Sequence, residues 1–92
     1  MAYFAVFYTY STDTEALDSL RPKHREYLGS LDELVASGPL VGTDPGRALL
    51  LFRADDLASV EALVAADPFR AQGLVDDCEV LPWNPVLGVF AV

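Results

Sequence analysis

Residues Tyr3 to Tyr10 form an almost unbroken run of aromatic and β-branched side chains, a composition that favours a strand over a helix. In a strand, Tyr3, Ala5 and Phe7 point one way and Phe4, Val6 and Tyr8 the other, so both faces are apolar and neither suits water. Ser11 to Thr14 is polar and predicts a turn. Glu15 to Leu20 then predicts a short helical turn capped by Thr12 or Asp13. The main helix is expected from about Pro22, a residue suited to the first helical position, to about Ser37, where Gly38-Pro39 stops it. Over that span His24, Tyr27, Leu28, Leu31, Leu34 and Val35 recur at intervals of three and four and share one stripe.

Beyond it, Leu40 to Thr43 predicts a short strand, Asp44-Pro45-Gly46 a turn, and Arg47 to Arg53 an apolar strand, together a β-hairpin. Asp55 or Asp56 caps a second helix whose Leu57, Val60, Leu63 and Val64 line one face, and which stops near Asp67-Pro68. Phe69 to Leu74 reads as a short turn of helix, and about Asp76 to Leu81 as a strand. Pro82, Trp83 and Pro85 interrupt the chain after it, and Gly88 to Val92 is expected to add a short edge strand. Strand, helix, strand, strand, helix, strand is the order of the α+β, ferredoxin-like βαββαβ sandwich: a four-stranded antiparallel sheet with both helices on one face. The 92 residues predict one domain, residues 1–92, since domains run from ~50 to ~250 residues. Because the strands are apolar on both sides, the uncovered sheet face is expected to close against a second copy, giving a homodimer with a dimeric α/β-barrel-like arrangement.

Composition narrows the partners. A formal charge of −8, from 14 acidic against 6 basic residues, argues against nucleic acid, which demands clustered Lys and Arg. Cys78 is the lone cysteine, so no internal disulfide and no multi-cysteine zinc site can form, and a reducing cytoplasm is the expected setting. No apolar run reaches the ~18 residues of a membrane-spanning helix, and the N-terminus does not read as a signal peptide. Metal binding is not expected, with one histidine and one cysteine far apart. Acidic neighbours around Cys78 argue against a thiolate nucleophile, and the dispersed glycines against a phosphate loop.

His24 is the one side chain that titrates near neutrality, and the stripe points it inward, so it requires a partner. A hydrogen-bonded core histidine and a tuned base both satisfy that requirement. Asp67 is the candidate carboxylate, although its place before Pro68 is equally explained by capping a short helix.

Arg21-Pro22-Lys23-His24 with Tyr27-Leu28, then Ser37-Gly38-Pro39-Leu40, then Ala65-Ala66-Asp67-Pro68-Phe69 with Gly73, and finally Pro82-Trp83-Asn84 resemble the successive motifs of the YciI-like (YCII-related) family. The resemblance covers nearly the whole chain. It implies a dimeric ferredoxin-like fold and an active site pairing a helix histidine with the aspartate of an Asp-Pro motif, carried here by His24 and Asp67. It also points to a chlorinated-hydroquinone dehydrochlorinase as a functional lead. The short loop between Leu40 and Arg47 implies a pocket wall, and hence a substrate, of this chain's own.

In such a dyad Asp67 fixes the imidazole tautomer and His24 acts as general base, without cofactor or nucleophile, on a small enolisable or phenolic molecule, with elimination if a leaving group is present. Tyr8, Tyr10 and Tyr27 are available as hydroxyl donors and Arg21 as the holder of an anionic group; core packing and surface charge explain the same residues without a ligand. A non-catalytic ligand-binding or accessory module with the same polar pocket is the alternative to an enzyme.

Overall fold

The computed structural model describes residues 1–91. Among these the chain forms β1 (Ala2–Tyr10), α1 (Thr14–Gly29), β2 (Leu34–Leu40), β3 (Arg47–Ala54), α2 (Leu57–Ala65), α3 (Pro68–Ala71) and β4 (Val75–Trp83). The strands make one antiparallel sheet in the order β2-β3-β1-β4. This is the ferredoxin-like arrangement that the pattern predicted. Alternation along β1 buries Phe4, Val6 and Tyr8, and the register with β3 sets Phe4 opposite Phe52, Val6 opposite Leu50 and Tyr8 opposite Ala48. Leu28 of α1 and Val60 and Val64 of α2 close the core over that face.

Several boundaries differ from the sequence pattern. The expected turn at Glu15 to Leu20 and the helix from Pro22 are one 16-residue helix, with Asp13 as N-cap accepting from Ala16 N at 3.1 Å. Pro22 therefore lies inside α1 rather than at its start. It is tolerated there because Pro22 and Asp18, whose carbonyl loses its partner, are both exposed, and water can reach the freed group.

The helix ends at Gly29, not Ser37: Ser30 N donates to the carbonyls of Glu26 and Tyr27. Leu34 to Leu40 is the strand β2, and Gly38-Pro39, expected as a helix stop, sits within it. Leu31, Leu34 and Val35 continue the helical spacing of Leu28, but pairing with β3, Leu34 opposite Phe52 and Gly38 opposite Leu49, overrides that local pattern. Proline is admitted because β2 is an edge strand. Val41 to Thr43 is consequently a turn, with Gly42 at φ 84° and the Thr43 hydroxyl donating to Leu40 O.

At the opposite edge, β4 continues through Pro82 to Trp83, again where a missing N–H faces away from the ladder. Gly88 to Ala91 is bend and turn rather than the expected edge strand, and Val92 lies outside the described residues.

Among the described residues the other face of the sheet carries no helix. Ala5, Phe7, Leu49, Leu51, Leu81, Pro82 and Trp83 line a shallow apolar hollow of about 300 Å³ there, with Leu81 45% and Trp83 39% exposed. The guanidiniums of Arg47 and Arg53 lie over the rings of Phe7 and Tyr3.

Candidate active site

Asp67 occupies the junction of α2 and α3. As N-cap of α3, with Pro68 at the first helical position, it accepts from Phe69 N at 3.0 Å through Oδ1. Its side chain is completely buried. An anion without water is costly unless donors surround it, and two more arrive from distant elements. The Tyr8 hydroxyl of β1 donates to Oδ2 at 2.9 Å, and His24 Nδ1 of α1 lies 2.9 Å from both carboxylate oxygens. The sequence offers His24 and Asp67 separately; the fold brings them into contact.

The network assigns the imidazole proton. An ionised carboxylate only accepts, so Nδ1 carries the hydrogen and Nε2 of the neutral ring has a bare lone pair. Nε2 has no protein partner among the described residues, and no side-chain nitrogen or oxygen there is sealed without one, so Nε2 reaches accessible space. Phe69 stacks on the imidazole with centroids 4.0 Å apart and planes 12° apart, and Tyr10 meets Phe69 edge-on. The ring is thus held at its edge by Asp67 and across its face by Phe69.

His24 lines a cavity of about 550 Å³ between α1 and the β2 edge. Arg21 and Arg25 of α1, Tyr10 of β1 and Phe69 of α3 share its wall, and Ser37, Gly38 and Pro39 close it from β2. Arg21 also pairs with Asp18.

The other tyrosines are engaged elsewhere. Tyr8 is spent on Asp67, and Tyr27 donates to Leu63 O at 2.6 Å; neither lines the cavity. Burial, then the Asp67 charge, raise the phenols of Tyr8, Tyr10 and Tyr27 above the ordinary tyrosine range, so all three remain donors at neutral pH. Arg25, Phe69 and the β2 wall are site residues that the sequence pattern did not single out. The first was legible, since Arg21, His24 and Arg25 stand three and four residues apart on one helical face.

Cys78 lies away from this cavity, with Arg70 Nη1 at 3.7 Å, and burial raises its thiol further than that cation lowers it. Among the described residues no three His, Cys, Asp or Glu side chains gather as a metal site would require, and no helix is long and apolar enough to cross a membrane.

The family model of the YCII-related domain matches residues 1–84. The chain belongs to the YCII-related family. No curated protein matches this YCII-related chain by sequence. Among solved structures it is similar to 5-chloro-2-hydroxyhydroquinone dehydrochlorinase from Burkholderia phenoliruptrix in complex with 2,5-dihydroxybenzoquinone, with TM-score 0.79, 22% identity, and 89% of this chain and 93% of that one covered. It is also similar to a protein from Agrobacterium tumefaciens, with TM-score 0.64, 18% identity and 100% of both chains covered. A cofactor-independent oxygenase from Streptomyces nogalater has TM-score 0.55 and 12% identity, with 97% of this chain and 96% of that one covered. At these identities the likeness is one of fold.

Tyr8 offers a test of the buried network. Tyr8→Phe leaves Asp67 one donor short and should cost about 1–3 kcal/mol at pH 7 by denaturant unfolding. Because the folded phenol is raised above its unfolded value of about 10, its contribution is complete below that pH and lost as pH rises toward the folded value. The stability gap between wild type and Tyr8→Phe should therefore narrow between pH 7 and pH 11. A gap unchanged over that range would contradict the raised phenol.

Proposed function

We propose that this protein is a small cofactor-independent enzyme in which His24 takes a proton from a small organic molecule and returns it. The observation that carries this reading is the His24 ring, anchored through Nδ1 to a fully buried Asp67 while Nε2 has no partner among the described residues and stands beside a cavity. Nε2 removes a proton from a carbon or hydroxyl of the bound molecule, and the released electron pair forms a new double bond. The proton then returns to another atom of the molecule, which is isomerisation, or the electron pair expels a leaving group as an anion and the imidazolium passes its proton to solvent, which is elimination. Asp67 holds Nδ1 throughout and offsets the charge of the transient imidazolium. Fold similarity to a dehydrochlorinase supports elimination as the first chemistry to test. Arg21 is the substrate-facing cation in this reading, while Tyr8 supports the dyad and Tyr27 ties α1 to α2.

The active form is a homodimer closed across the bare sheet face, where Phe7, Leu49, Leu51, Leu81 and Trp83 leave an apolar surface suited to a copy of itself. With a single cysteine, half-buried and unpaired, the chain suits a reducing cytoplasm.

Chloride release from 5-chloro-2-hydroxyhydroquinone tests the chemistry. His24→Gln should lower the rate by about 10²–10⁴-fold in a chain that still folds and unfolds cooperatively. Unchanged release in His24→Gln would defeat the assignment; binding of the probe by wild type with no release would make the protein a ligand-binding module. For assembly, light scattering should give twice the 10.0 kDa chain mass, reverting to one chain mass in Leu51→Lys/Leu81→Lys. A wild type of one chain mass in dilute solution would refute the dimer.

A further inference from the structure

The cavity has a charge opposite to that of the protein around it. Of 14 acidic residues in the chain, none among those described lines it, whereas two of the 6 basic residues, Arg21 and Arg25, do. They stand one helical turn apart on α1, and His24 lies between them on the same wall. Arg21 shares its charge with Asp18; Arg25 has no carboxylate within ion-pairing distance among the described residues.

Tyr10 adds a neutral donor. Its hydroxyl has no protein partner among the described residues, in contrast to Tyr8 and Tyr27, and its ring lines the same cavity. Arg21 is near enough to draw the Tyr10 phenol down against the effect of burial. The rest of the wall is apolar or aromatic: the stacked pair of His24 and Phe69, with Leu28, Leu34 and Leu50.

We infer that Arg21, Arg25 and Tyr10 form an oxyanion-holding subsite, so that the ligand is a small flat unsaturated molecule bearing a delocalised negative charge, a carboxylate or a phenolate. The inference rests on the proposed function only in taking this cavity as the substrate site. Guanidinium groups suit such anions because their planar N–H pairs match two oxygens at once, and charge-assisted hydrogen bonds are about twice as strong as neutral ones. The unsaturated body sits at the edge of the His24–Phe69 stack, where its reacting atom meets Nε2 in the imidazole plane. Binding a formal anion inside a chain of net charge −8 demands this local reversal of sign.

The test is an NMR titration of the full chain with benzoate, with its neutral analogue benzamide, and with 4-nitrophenolate at a pH where that phenol is ionised. Benzoate or 4-nitrophenolate should bind about tenfold or more tighter than benzamide, and the advantage should shrink with added salt. Whichever anion binds more tightly identifies the oxyanion the subsite favours.

Arg25→Met, a change at an exposed position, should lower anion affinity about tenfold and leave benzamide unaffected; Tyr10→Phe should lower anion affinity more modestly. His24→Gln should keep the preference for anions. Its retention of turnover would remove the proposed base without touching the subsite. Equal binding of benzoate, 4-nitrophenolate and benzamide, no binding of any, or an anion preference surviving in Arg21→Met/Arg25→Met would overturn the subsite even if His24 proves essential for turnover.

Discussion

A carboxylate cut off from water must be surrounded by donors, and Asp67 takes its donors from three separate elements. The backbone of α3 supplies Phe69 N–H, β1 supplies the Tyr8 hydroxyl, and α1 supplies His24 Nδ1. Removing any one of them leaves the buried carboxylate a donor short. One side chain therefore fixes where α1 and α3 sit relative to the central strand. The same network that satisfies the core also delivers an imidazole with one nitrogen spoken for and one free.

The sheet divides the molecule's tasks between its faces. The side carrying Phe4, Val6, Tyr8, Leu50 and Phe52 holds the core and, at the β2 edge, opens into the cavity. The other side carries Phe7, Leu49, Leu51 and Leu81 and has no helix of its own. Cations face the cavity wall on α1, while acidic side chains are kept off it. Placing Arg21 and Arg25 on the same helical face as His24 joins the proposed base and the charge that would orient a ligand in one rigid element.

Much of this was legible in the chain itself. The aromatic and β-branched run of β1, the apolar run of β3 and the capped helix α2 carry strong local signals, and their order led to the correct fold class. His24 announced itself as an imidazole among leucines. What could not be read was everything decided at long range. Leu31, Leu34 and Val35 keep a helical spacing, and only the partner strand β3 turns their segment into β2. Pro22 and Pro82 read as boundaries because the pattern cannot say which backbone groups face water. The contact between His24 and Asp67 spans 43 residues, and the commitment of Tyr8 to Asp67 spans 59, so neither has a local signature.

The central claim is that Asp67 sets the protonation pattern of His24, and the imidazole ¹⁵N shifts of the neutral ring in a long-range ¹H–¹⁵N spectrum test it most directly. The structure predicts the tautomer with hydrogen on Nδ1 and a bare Nε2. A neutral ring protonated on Nε2, or an even mixture of the two tautomers, would contradict it.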